Sequence, residues 1–258
     1  MHPMVWGLMK AIVTGASGGL GLEFAKLLAS DGHDLVLVAR SADKLERIAS
    51  ELRSQHGVSV EVISQDLGVP DAAARLVERV PSCDILVNNA GFASNGRFDS
   101  IPPERVREEL LLDVVTLTEL TRGYLPGMRE RRSGRILNVA STAAFLPGPF
   151  MAVYYAAKAY VLSFSQALSE ELRGSGVTAT VLVPGATATG FADRADVAST
   201  LLFRLPTARA DAVAKAGYRG MLAGKDLIIP GFLNQLLAFA MRFTPRRLLL
   251  WISRRLTE

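Results

Sequence analysis

Tyr154 and Lys158 stand four residues apart, a spacing that puts a phenol and an ammonium on one face of a helix. A cation beside a phenol favours phenolate and lowers a pKa otherwise near 10, so such a pair can exchange a proton with a substrate oxygen. Taken alone, the same spacing also describes an ordinary surface pair. Tyr155 points about 100° away on the helix and is assigned to packing. Ser141 follows an apolar run at 135–139, and its hydroxyl can hold a carbonyl oxygen or merely cap the turn that it begins. The string Thr14-Gly15-Ala16-Ser17-Gly18-Gly19-Leu20-Gly21 permits a tight turn whose N–H groups approach a pyrophosphate, a charge that a helix N-terminus favours. No Cys/His spacing suits a metal, and His2, His33 and His56 fall where surface turns are expected. With no nucleophile elbow and downstream His, a hydrolase is set aside.

These residues need a scaffold that joins residue 15 to residue 154, and apolar periodicity supplies one. The run 10–14 is apolar and ends in glycine, and 20–30 then carries Leu20, Phe24, Leu27 and Leu28 at helical spacing. The unit recurs, with strands expected at 34–40, 59–67, 84–88, 135–139, 178–183 and 227–229, and helices at 41–56, 71–80 and 153–173. Near-continuous Val, Ile and Leu strands between helices indicate an α/β fold with a doubly wound, mostly parallel, Rossmann-type sheet. Such sheets bind ligands at the carboxyl ends of their strands, where the glycine turn falls. Pro102 and Pro103 open a long helix to about residue 132, in which Pro126 and Gly127 are expected to force a kink or a stop. The irregular stretch 186–207 is placed as a lid. With no break in composition, one catalytic domain spans 8–231, and a helical extension follows at 232–258.

The glycine turn has the spacing T-G-x-x-x-G-x-G, followed in order by Asn88-Asn89-Ala90-Gly91, Ser141, Tyr154-x-x-x-Lys158 and Pro184-Gly185. In these five motifs, over residues 10–231, the chain resembles the short-chain dehydrogenase/reductase family. The resemblance implies reversible hydride transfer between a nicotinamide cofactor and a carbonyl compound or secondary alcohol, carried out by a homodimer or homotetramer. It implies Tyr154 as acid/base, Ser141 as the group that positions the substrate oxygen, and Lys158 as partner of both Tyr154 and the nicotinamide ribose. It also implies cofactor contacts at Gly15, Ser17, Gly19, Gly21, Asn88, Tyr154 and Lys158, at Asp66 and Leu67 beside adenine, and at Thr187 and Thr189 beside the carboxamide and diphosphate.

One position departs from the family pattern. Where relatives carry an Asn that holds a water between the Lys and solvent, this chain has Asp113, framed by Leu111-Leu112 and Val114-Val115. Asp113 therefore joins the expected catalytic set, with either a pH-altered relay or a weakened activity as its consequence. A catalytically weak NADP-binding regulatory or scaffold protein is the alternative function. NAD-selective sites end the second strand with Asp or Glu, whereas this strand ends Val38-Ala39-Arg40 with no carboxylate until Asp43. Arg40, helped by Ser17, points to NADP, although a helix-start Arg is also ordinary surface.

Composition bounds the rest. At 258 residues, 49% hydrophobic and 21% charged, the chain can build a large core and is no disordered segment. Its formal charge of +4 is mixed with 25 acidic residues, so no nucleic-acid footprint follows. The single Cys83, read as a small buried hydrophobe, fits a reducing compartment, and 5–9 is too short for a signal segment, so a cytoplasmic location is expected. Apolar candidates for the pocket edge are Phe92, Phe145, Leu146, Phe150, Phe191, Leu201, Leu202 and Phe203, which favour a hydrophobic carbonyl or alcohol substrate, although the same residues equally suit the core. From residue 232 the chain carries Arg242, Arg246, Arg247, Arg254 and Arg255 with no acidic residue before Glu258, on two segments with apolar faces. Such a tail either packs on protein, the plainer reading, or makes peripheral contact with an anionic membrane surface.

Overall fold

The computed structural model describes residues 9–191, 195 and 207–257. In chain order its main elements are β1 (Lys10–Thr14), α1 (Gly19–Ser30), β2 (Asp34–Ala39), α2 (Ala42–His56), β3 (Val60–Ser64), α3 (Ala72–Arg79) and β4 (Ile85–Asn88). There follow α4 (Pro103–Leu110), a widened π turn (Leu111–Thr116), α5 (Leu117–Glu130), β5 (Gly134–Val139), α6 (Ala152–Glu171) and β6 (Val177–Leu182). The short β7 (Thr187–Ala188) and β8 (Ala208–Arg209) pair with each other, and α7 (Ala210–Leu222), β9 (Leu227–Ile228), α8 (Phe232–Met241) and α9 (Arg246–Thr257) complete the chain.

Seven strands form one sheet in the order β3-β2-β1-β4-β5-β6-β9, every pairing parallel. Successive residues point to opposite faces, and both faces are covered. Val13 and Leu37 join Phe24, Leu28 and Met221 from α1 and α7 on one side. Ile12 and Val36 join Leu76, Leu120 and Met128 from α3 and α5 on the other. This double burial is why the strands read as unbroken apolar runs. The chain leaves β1 toward β2 and β3, then returns to place β4 on the other side of β1, so a crevice opens over the carboxyl ends of β1 and β4.

Two expectations need correction. Pro126 does not stop its helix, for α5 runs through it to Glu130. The proline is exposed, so the carbonyl that it leaves without an N–H partner faces water. The irregularity lies instead at the π turn. His33 is buried rather than in an exposed turn, and burial lowers its pKa and favours the neutral ring.

Candidate active site

The crevice is a cavity of about 1090 Å³ that runs from the turn after β1 to the start of α6. Thr14 sets its floor: the hydroxyl donates to the Val87 carbonyl at 3.2 Å and accepts from the Asn89 and Ala90 amides, each at 3.0 Å. Asn89 answers by donating from Nδ2 to the carbonyl oxygens of Thr14 at 2.9 Å and Gly15 at 3.3 Å. The glycine turn is thus clamped from beneath. Gly21 lies behind this wall and not in it, since a Cβ there would sit 2.6 Å from Asn89 Nδ2. Only glycine allows α1 to approach so closely.

Gly15, Ser17 and Gly19 line the cavity as expected, and Gly18, at the N-cap of α1, has no side chain to cap the helix. Its first N–H groups therefore remain available to an anion. Arg40, at the end of β2, also lines the cavity, and its carbonyl accepts from the Ser64 hydroxyl at 3.0 Å. Lys44, one helical turn further on, adds a second cation that the sequence reading missed. Asp66 and Leu67 line the same end, with Asp66 Oδ1 held by the Gly68 amide at 2.8 Å. Thr187 and Thr189 line the cavity between the two ends. The Gly15 and Ala16 amides are already committed to the Val38 carbonyl, at 2.8 and 3.3 Å, so it is the uncapped helix start and the two cations that match the charges of a phosphorylated dinucleotide.

Asn88 lies elsewhere. Its Nδ2 donates to Thr121 Oγ1 at 3.1 Å and Asn138 Oδ1 at 2.9 Å, and Asn138 Nδ2 donates to Ser165 Oγ at 2.9 Å. The side chain thus ties β4 to β5, α5 and α6 inside the core, away from the large cavity, because the last strand residue alternates inward while Asn89 faces the crevice.

At the other end, the start of α6 carries Tyr154 and Lys158 on one buried face. Lys158 Nζ lies 5.5 Å from the Tyr154 ring centroid, and Ser141 is near enough to the phenol to pull its pKa down. Ser141 also caps its own turn by accepting from the Ala143 amide at 3.2 Å, so both readings of this hydroxyl hold. Tyr155 packs edge-on against Tyr154, with centroids 6.1 Å apart, and also forms part of the cavity wall.

Asp113 reorganises this end. Its Oδ1 meets Lys158 Nζ at 2.6 Å, and its Oδ2 accepts from the Phe92 amide at 3.1 Å. The π turn carries it into the interior, where it is fully buried. Gly91 makes room for the contact, since a Cβ there would lie 2.6 Å from Asp113 Oδ1 and 3.2 Å from Lys158 Nζ. The carboxylate is therefore a direct partner of the ammonium. Burial pulls the Lys158 pKa down, but Asp113 and then Tyr154 more than offset this and raise it. Asp113 itself is raised by burial, against the pull of Lys158 and the Phe92 amide.

The phenol departs from the sequence expectation. Burial raises the Tyr154 pKa, and Lys158 and Ser141 pull it down by less, with the Asp113 charge adding to the rise. One turn before Asp113, Glu109 is fully buried, with Oε2 accepting from the Ser94 amide at 3.1 Å, and burial pushes its carboxyl up to about 7. Sequence reasoning missed Glu109, whose only signal is its position four residues before Asp113 on the same helix.

Phe92, Phe145, Leu146 and Phe191 line the cavity, whereas Phe150 lies beneath the Arg254 guanidinium, 5.8 Å from its ring centroid. The 201–203 run lies outside the described residues, as does most of the expected lid. The remaining wall comes from α8 through Leu233, Asn234, Leu237, Ala238 and Met241, a contribution that the sequence reading did not assign.

Residues 9–198 match the family model described as short chain dehydrogenase. The chain is 34% identical over 180 residues to an uncharacterized oxidoreductase, YvaG, of Bacillus subtilis, covering 69% of this chain and 68% of that one. It is 34% identical over 188 residues to the very-long-chain 3-oxoacyl-CoA reductase of Rattus norvegicus, covering 70% of this chain but only 60% of the rat protein. Among solved structures, a short-chain dehydrogenase from Sphingobium yanoikuyae in complex with NADPH superimposes with a TM-score of 0.82 at 32% identity, covering 93% of this chain and 97% of that one.

Proposed function

The chain belongs to the short-chain dehydrogenase/reductase family, a family of oxidoreductases, and on that footing we propose that it interconverts a hydrophobic carbonyl compound and its secondary alcohol using NADP(H). The observation that carries this reading is the pairing, in one cavity, of Ser141, Tyr154 and Lys158 at an apolar end with Arg40 and Lys44 at a cationic end. The NADPH complex of the Sphingobium neighbour and the acyl substrate named for the rat relative support the cofactor and the substrate class.

In this reading the amides at 17–19 and the start of α1 hold the diphosphate, Arg40 and Lys44 face the 2′-phosphate, and Lys158 reaches the ribose. The bound nicotinamide supplies or accepts the hydride. Ser141 fixes the substrate oxygen and Tyr154 delivers a proton to it as the carbonyl carbon is reduced. A buried phenol with a raised pKa keeps its proton at neutral pH and is suited to act as an acid. Lys158 steadies the phenolate left behind, while the Asp113 carboxylate holds Lys158 in its ammonium form.

One observation favours a second reading, a slow NADP-binding regulatory protein: Asp113 neutralises the cation that would otherwise ease ionisation of Tyr154. A screen of NADPH and NADH oxidation over long-chain, aryl and polycyclic ketones separates the two. Consumption of NADPH in preference to NADH with one of these ketones is expected. Tight NADPH binding without turnover would favour the slow protein, and a preference for NADH would overturn the cofactor assignment.

A further inference from the structure

We infer that α8 and α9 form a surface that docks on an anionic lipid bilayer and opens the cavity toward it. Ten of the fourteen large apolar side chains exposed among the described residues lie on these two helices or the turn between them. Phe232 is 80% exposed, Phe243 74% and Trp251 60%. The charge follows the same boundary. Five of the 29 basic residues and one of the 25 acidic ones fall from residue 232 onward, so the formal +4 of the whole chain resides there, and residues 1–231 balance to zero.

An apolar face among arginines, with no carboxylate across residues 232–257, complements anionic headgroups above hydrocarbon. A second protein copy would bring the same five positive charges against themselves if the face met its own twin. Both helices are fixed to the domain by other sides. On α8, Ala238 is buried and Asn234 packs over Gly185, where a Cβ would lie 2.8 Å from its Nδ2, and α9 is pinned through Ser253, whose hydroxyl donates to the Pro147 carbonyl at 2.6 Å. On α9 this leaves Leu248, Trp251 and Ile252 facing outward, with Arg255 5.9 Å from the Trp251 ring centroid, an arrangement suited to the headgroup boundary. No described helix is long and apolar enough to cross a membrane, so the contact lies along the surface.

The link to the site is α8 itself. Leu233 and Leu237 line the cavity and are also exposed, while Leu236 and Phe239 face away from it. One helix therefore joins the lipid-facing surface to the interior of the cavity, and an apolar ketone can pass along it without crossing water. This delivery role rests on the proposed hydrophobic-carbonyl activity; attachment to the bilayer does not.

The test uses the full chain carrying Trp6→Phe, which leaves Trp251 as its single indole. It is mixed with vesicles of equal parts phosphatidylcholine and phosphatidylglycerol, or of phosphatidylcholine alone, and followed by sedimentation and indole emission. Sedimentation with the anionic vesicles and a blue shift are expected, both weakened by 0.5 M salt (roughly a threefold shorter screening length than at low salt). The triple variant Arg242→Gln, Arg246→Gln, Arg247→Gln should bind about 100-fold more weakly, and Phe239→Ser with Phe243→Ser should lose the blue shift, each retaining NADPH binding. For a long-chain ketone dissolved in the vesicles, the triple variant should raise KM and leave that of a short water-soluble ketone unchanged. Failure to sediment with anionic vesicles, or sedimentation that survives both variants, overturns the inference. Self-association abolished by the Phe pair without vesicle binding would assign the face to a second copy. Vesicle binding by a chain that reduces no ketone would remove the proposed function and leave the surface standing.

Discussion

The two ends of the cavity hold their working groups by opposite means. Over β1 and β2 the groups are backbone amides at an uncapped helix start and cations at the edge of α2, with no ion pair between buried partners. At the start of α6 four titratable side chains, Glu109, Asp113, Tyr154 and Lys158, lie together in the interior. At the first end each group acts nearly alone, so a substitution there alters binding and little else. At the second, low dielectric couples every protonation to the others, and no member can be changed without moving its neighbours.

The sharpest way to break this contrast is Asp113→Ala. Removing the carboxylate leaves the Lys158 charge buried without its partner, a loss expected to cost about 3–5 kcal/mol of stability. It would be read as a lower urea midpoint at unchanged slope. A variant as stable as wild type would mean that the second end is not electrostatically coupled. Next comes Tyr154→Phe, which keeps the ring and removes the acid. Ketone reduction should fall by about 10² or more, with NADPH affinity little changed, whereas Tyr155→Phe should retain most activity. If the two variants exchange behaviours, the assignment of the acid is wrong.

At the other end, Arg40→Asp should raise the KM for NADPH by roughly tenfold and improve use of NADH, with turnover at saturating cofactor unchanged. A loss of turnover as well would show that the ends are not independent. The smallest effect concerns pH. The Glu109 carboxyl is raised from its ordinary 4.5 to about 7, so between these values the unfolded chain releases a proton that the folded one keeps. Stability should therefore decline as pH rises across that window and level off above it. Glu109→Gln should flatten the decline, as measured by urea midpoints at several pH values, and a slope unaltered in the variant would sink the assignment.

The first end was legible in the sequence because its signals are local. A glycine string after an apolar run, and an arginine where a carboxylate stands in NAD-selective sites, lie within single strand-to-helix connections. The parallel sheet was equally plain, since doubly buried strands are apolar throughout. Tyr154 and Lys158 were found by one helical spacing, but the rise in the phenol's pKa was not, because its main cause is burial, which a spacing does not report, and Asp113 adds to it from a different element through a π turn that has no compositional mark. Asn88 was misplaced because its motif names a strand end without saying which side each residue faces. The role of α8 as cavity wall was hidden for a related reason: a helix apolar on nearly all sides does not reveal which side finds protein.

Asn88 and Asn138 stand opposite each other in the pairing of β4 with β5, joined by a hydrogen bond of 2.9 Å deep in the core. If the two strands assembled one residue out of step, the side chains of the shifted strand would exchange faces and both amides would be stranded in hydrocarbon. Each such orphaned group costs about 1–3 kcal/mol. The pair therefore favours the native alignment over a slipped one. A sheet built mostly from interchangeable Val, Ile and Leu has little else to tell a correct alignment from a slipped one, and these are the strands that carry Asn89 and Ser141 to the cavity.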